Sequence, residues 1–238
     1  MAANTNFPNL NASKVASVWG SSSQALLDEG VLYVATNPTV GTPIATTTSV
    51  VDAGNAGATS AQTRPVAILL NNNPASTANP INLYPLTWNW LVSQVPTSAT
   101  SWQLALWLEP LGSQAYTSGG SVITPVALNQ NVSTPSRAQI YFGAITAAAT
   151  TANGKLLARR QINPAVPVTL DQWMFLFGAQ SGSDQVAGGA GAKNLVVGLP
   201  SIVVPPQYAL KVGMWGAANA AAPSWEFELT YAERGQGQ

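Results

Sequence analysis

Cysteine and histidine are both missing from the 238 residues, and charge is scarce. Without cysteine there are no disulfides, thiolate nucleophiles or thiolate metal sites. Without histidine the chain lacks the one side chain whose ordinary pKa lies near neutrality, and the commonest transition-metal ligand. Charged residues make up 8% of the chain, against about 25% in ordinary soluble domains. Nine Lys and Arg balance nine Asp and Glu, with no run of either sign. A nucleic-acid binder needs a basic stripe, because phosphate contacts dominate its affinity. The neighbours Arg159 and Arg160 are too few to make one, so no nucleic-acid partner is expected. Nor is there a window of about 18 apolar residues, so no membrane-spanning helix and no membrane partner are expected. Residues 1–11 are polar and lack the basic-then-apolar order of a signal peptide.

What is present is apolar, punctuated and short in period. The chain is 46% hydrophobic, ample for a core, with 17 prolines and 20 glycines dispersed among the apolar segments. Short runs rich in Val, Ile, Trp, Tyr and Phe, bounded by Pro, Gly, Asn and Ser, predict strands. They fall at 31–36, 65–70, 83–92, 102–109, 121–127, 139–145, 155–161, 172–177, 195–197, 202–204, 208–215 and 224–233. Near-zero net charge with few charges at all suits a surface largely covered by neighbours, since freely diffusing molecules are kept apart by charge.

In the last predicted strand, Trp225, Phe227, Leu229 and Tyr231 alternate with Glu226, Glu228 and Thr230, the period of two of a sheet with one wet face. Tyr84, Leu86, Trp88, Trp90 and Val92 would line one face of a hairpin, meeting Trp102, Leu104, Leu106 and Leu108 across residues 96–100. Segment 172–177 differs. Trp173, Phe175 and Phe177 share one face and Met174 and Leu176 the other, so it is expected inside the domain or under another subunit. Residues 1–30 read as an extended N-terminal arm and 31–238 as one β-sandwich domain with long loops at 37–63 and 178–194. Along the arm, Phe7, Leu10, Val15, Val18 and Trp19 are the candidate partner-binding residues; a frayed terminus is the alternative.

Candidate chemistry is thin. Serines are plentiful, but histidine is missing and no Gly-x-Ser-x-Gly elbow occurs; a Ser–Lys pair is the alternative, yet Lys14, Lys155, Lys193 and Lys211 lie in no motif. Glu226 and Glu228 are the right residue type for a glycosidase pair, but outward polar positions on an alternating strand explain them completely. Asp28, Glu29 and Asp184 are too isolated for calcium. No catalytic residue, cofactor or metal site is therefore assigned. Eight tryptophans could form a sugar platform, but aromatic side chains also dominate core packing. Trp88, Trp90, Trp102 and Trp225 fit the core. Trp107, Trp173, Met174, Leu176 and Trp215 lie on strands apolar on both faces and are the candidate subunit-interface residues.

One stretch carries a resemblance. Leu-Pro-Ser-Ile-Val-Val-Pro-Pro-Gln-Tyr-Ala-Leu-Lys-Val from Leu199, a small-residue loop, and Pro-Ser-Trp-Glu-Phe-Glu-Leu-Thr-Tyr-Ala-Glu-Arg from Pro223 resemble the closing hairpin of jelly-roll virion proteins of tailed bacteriophages. The Thr-, Ala- and Asn-rich, cysteine-free remainder is similar to phage capsid decoration (cement) proteins. The resemblance implies an all-β, jelly-roll-like antiparallel sandwich. It also implies a homotrimer made in the host cytoplasm, bound to the major capsid protein on the outer capsid surface. A receptor- or glycan-binding head-fibre or tail module, and a jelly-roll capsid subunit in its own right, are the alternatives.

Overall fold

The computed structural model describes residues 26–27, 29–45, 63–75, 80–94, 102–113, 115–131, 134–147, 154–163, 169–178, 183–186, 194–216 and 224–235. The expected arm residues Phe7, Leu10, Val15, Val18 and Trp19 lie outside them. The strands are β1 (Leu32–Thr36), β2 (Ile44–Ala45), β3 (Ala67–Asn71), β4 (Ile81–Gln94) and β5 (Trp102–Pro110). They continue with β6 (Ser118–Ile123), β7 (Val126–Ala127), β8 (Ala138–Thr146), β9 (Lys155–Asn163) and β10 (Gln172–Phe177). The last four are β11 (Ser183–Val186), β12 (Asn194–Leu199), β13 (Tyr208–Gly216) and β14 (Ser224–Gly235).

Two sheets pack face to face. The first runs β11-β12-β10-β4-β14-β1-β7, with β2 also on β14; the second runs β6-β8-β3-β13-β5-β9. Four antiparallel pairs nest inside one another: β1 with β14, β3 with β13, β4 with β10 and β5 with β9. Taken as eight strands in chain order, the first pairs with the last, the second with the seventh, the third with the sixth and the fourth with the fifth. That is a long hairpin rolled over on itself, the jelly-roll β-sandwich. The joins β14–β4 and β13–β5 close each sheet across the roll. β2, β6 to β8, β11 and β12 widen it, and β12 is parallel to β10.

The alternating strands behave as their side chains dictate. On β14, Trp225, Phe227, Leu229 and Tyr231 are buried between the sheets, while Glu226, Glu228 and Thr230 face outward. Trp90 is the hub of the core, its ring centroid 5.3–5.6 Å from those of Trp88, Phe142, Phe175 and Trp225. Tilted and edge-on contacts of this kind add about 0.5–1.5 kcal/mol each to the burial itself.

Several sequence expectations change. β4 and β5 do not form a hairpin but lie in opposite sheets, so Trp88, Trp90, Leu104 and Leu106 enter the one core from opposite sides of the sandwich. Nor does one face of β4 hold Tyr84, Leu86, Trp88, Trp90 and Val92. Thr87 faces Thr230 and Pro85 faces Tyr231, which leaves Leu86 as the extra residue of a bulge. The bulge switches the inward set to Leu83 and Pro85 and leaves Tyr84 and Leu86 half-buried. It also accommodates Pro85, which cannot donate to a central ladder. Segment 121–127 splits into β6 and β7, and 202–204 reduces to a single bridge, Leu83 to Val204. The loops expected at 37–63 and 178–194 contain β2 and β11. At Gly143 (φ +103°) a Cβ would stand 2.5 Å from Ile44 Cγ2 and 2.9 Å from the Ala45 carbonyl. Only glycine lets β2 approach β8 so closely.

Candidate functional site

The outer face of the second sheet is sealed within the chain. Ile68, Leu70, Ala209 and Ile145 on that face are 0–3% exposed and pack with Ala115, flanked by Leu111 and Tyr116. Beside them Ala105 and Trp107 form a second buried cluster. Trp107, expected at a subunit interface, is 4% exposed in its own chain and has no surface to offer a neighbour. The apolar character of both faces of β5 is satisfied internally.

Below Trp107 the same face holds an ion pair. Lys211 Nζ on β13 lies 2.7 Å from Glu109 Oε2 on β5, both side chains fully buried. Burial pushes the Lys211 ammonium below its ordinary pKa, and the hydrogen bond to Glu109 works against that shift. Gly154 packs on the same carboxylate, where a Cβ would come 2.6 Å from Glu109 Oε1.

A second buried carboxylate ties the two sheets together. Glu233, at the inward end of β14, accepts from the Ser136 hydroxyl (2.6 Å), the Arg137 amide (2.9 Å) and the Ala138 amide (3.3 Å) leading into β8. Ser136 Oγ also meets the Tyr231 hydroxyl at 2.5 Å, and Tyr231 stacks on Tyr33, whose hydroxyl donates to the Thr134 carbonyl. Burial raises the Glu233 pKa above the usual carboxylate range, although these donors favour the charged form. Serine, carboxylate and phenols adjoin here, but every one is occupied in holding residues 134–138 against the first sheet.

The outer face of the first sheet is the open one. A groove of about 290 Å³ crosses β14, β4 and β10, lined by Glu226, Glu228, Asn89, Leu91, Gln172 and Val40 among others. Glu226 accepts from the Gly41 amide (3.2 Å) and Ser93 hydroxyl (3.4 Å), and Glu228 from Asn89 Nδ2 (3.4 Å). Asn89 Oδ1 is buried with no hydrogen-bond partner among the described residues. Beside the groove, half-buried Leu91, Met174, Leu176 and Val196 lie adjacent across β4, β10 and β12.

Of the residues expected at a subunit interface, then, Met174 and Leu176 lie on this open face. Trp173 points the other way, 1% exposed in the core and 6.3 Å from Trp225, so it cannot touch a neighbour. The side chain of Trp215 lies outside the described residues. The tryptophan side chains described (Trp88, Trp90, Trp107, Trp173 and Trp225) are all buried, so none of them offers a ring to a sugar. Among the described residues no three of His, Cys, Asp or Glu gather as a metal site, and no helix is long and apolar enough to cross a membrane. The buried ion pair and the Glu233 tie carried no sequence signal, because each joins residues about a hundred positions apart.

The fold and its surfaces define a jelly-roll β-sandwich with one face sealed by its own chain and the other open, polar and partly apolar. Comparison with family models, curated proteins and solved structures gives no match.

Proposed function

We propose that this chain is a structural virion protein that decorates and stabilises a bacteriophage capsid by binding the major capsid protein. The observation that supports this best is the nested strand pairing, since jelly rolls recur in viral shells. The composition agrees with it: a surface poor in charge suits a molecule covered by neighbours. The mechanism is added contact area. About 1,000 Å² of further apolar burial is worth roughly 25 kcal/mol gross, before the costs of association. Repeated over a shell, that term resists outward pressure from a packaged genome. Residues 1–30 would anchor the protein, and the sandwich would project outward.

The test is sedimentation of the purified protein alone and with capsids. A small oligomer that co-sediments with shells supports the reading; a protein indifferent to shells removes it. Deletion of residues 1–20 should abolish attachment, and unchanged attachment would eliminate the anchoring role. The nested topology equally favours a capsid subunit in its own right. That reading requires shells to form when the chain is expressed alone, whereas a decoration protein stays a small oligomer.

A further inference from the structure

The charges of this formally neutral chain are sorted by sheet. Among the described carboxylates with described side chains, Glu109, Asp171 and Glu233 are buried and Glu29 pairs with Arg234. Glu226 and Glu228 remain, both in the groove on the outer face of the first sheet. Each is held by neutral donors. Apart from Arg234 on β14, which pairs with Glu29, the described cations at the surface belong to the second sheet or to the segments leading into it. Lys155, Arg159 and Arg160 lie on β9, at that sheet's edge, and Arg64 and Arg137 lead into β3 and β8.

An apolar feature accompanies each set. Leu156 stands 55% exposed on the side of β9 next to Trp107, while Lys155 lies on the other side, next to Leu108. Next to Glu226 and Glu228 lie the half-buried Leu91, Met174, Leu176 and Val196. The groove is lined by two carboxylates and by no cationic side chain. Lysine and arginine supply donors only.

We propose that copies of this chain associate head to tail, the β9 edge of one copy, with Lys155 and Arg160 on one side of the strand and Leu156 on the other, docking on the Glu226–Glu228 groove and adjoining apolar stripe of the next. A heterologous contact of this kind joins two different patches and closes into a ring when the rotation allows. Opposite charges on the two patches set the register and disfavour face-to-face or edge-to-edge pairing. The contact concerns copies of this chain and does not depend on binding to any shell.

Charge reversal tests it on the full chain. Glu226→Lys with Glu228→Lys places cations on both patches; Lys155→Glu with Arg160→Glu places anions on both. Sedimentation equilibrium should show the wild type self-associating, more weakly as salt rises. Each reversed pair alone should weaken association at least tenfold. The chain carrying all four changes should associate as the wild type does, and mixing the two reversed chains should restore association between them. This recovery separates lost complementarity from misfolding, and circular dichroism of each variant checks the fold directly. A wild type that stays monomeric at high micromolar concentration overturns the proposal. So does association insensitive to either reversal, or failure of both the fourfold variant and the mixture to recover. Co-sedimentation with capsids, measured separately on the same variants, reports on decoration independently of this result.

Discussion

Replacing Lys211 by Met takes the ammonium away from the Glu109 carboxylate in a site with no exposure. Removing one partner of a buried ion pair costs about 3–5 kcal/mol, because the remaining charge is uncompensated. A second route gives a similar bound. A buried glutamate can shed its charge by taking up a proton, which near pH 7 costs about 3.5 kcal/mol at 1.36 kcal/mol per unit. For a chain of this size each kcal/mol shifts Tm by about 2–4 °C, so Lys211→Met should lower Tm by about 6–20 °C. The penalty should also shrink as pH falls towards the carboxylate range, by up to about 1.4 kcal/mol per unit, because the proton becomes easier to acquire. Adding Glu109→Met removes the buried charge, and the double variant should return to within about 1 kcal/mol of wild type or exceed it. Urea titrations of the four chains at several pH values measure the cycle. A Lys211→Met penalty that ignores pH, or a double variant less stable than the single one, would show that packing rather than charge burial governs this site.

Four further outcomes follow from the geometry. Glu233 has a folded pKa above its unfolded value, so its contribution is fully present below the ordinary glutamate pKa and is lost as pH rises through the folded one. Stability should therefore fall across that window in the wild type and stay flatter in Glu233→Gln, the gap between them narrowing with rising pH in denaturant titrations. Trp90→Ala, which opens the centre of the aromatic cluster, should cost about 3–5 kcal/mol by the same measurement. Leu170 is 60% exposed and sits at φ +74°, a conformation that strains a branched side chain. Leu170→Gly should raise Tm, with a gain of about 0.5–1 kcal/mol once glycine's own entropy is subtracted. Gly143→Ala, by contrast, must displace Ile44 and the Ala45 backbone and should cost about 1–3 kcal/mol, read as a lower thermal midpoint.

Where a strand has one core face and one wet face, its sequence states both, and β14 could be read almost residue by residue. Alternation gives faces but not partners. The short gap between β4 and β5 therefore suggested a hairpin, although the roll sends them to opposite sheets. A bulge is equally silent, and Leu86 shifts the face of every β4 residue before it. Strands apolar on both sides were recognisable as such in β5 and β10, but pattern alone cannot say whether the second cover is a neighbour or the chain itself. Trp107 is covered by its own chain; Met174 and Leu176 stay only half-buried. β2 and β11 lack an apolar period and left no trace. The groove was half visible, since Glu226 and Glu228 were marked as outward, while Asn89, Gln172 and Val40 reach it only through the fold.

The position of β14 has a consequence for synthesis. This strand, the last of those described, sits in the middle of the first sheet, between β1 and β4. Until it emerges from the ribosome, β1 and β4 face each other across a gap, each with an unsatisfied edge and a bare apolar face. Pairing residue 32 with residue 232 also makes the closing contacts among the most distant the chain can form, which slows folding. A nascent chain cut short before residue 224 therefore cannot complete the core, and its open edges mark it for aggregation or proteolysis. The topology thus makes completion of the first sheet depend on translation as far as β14.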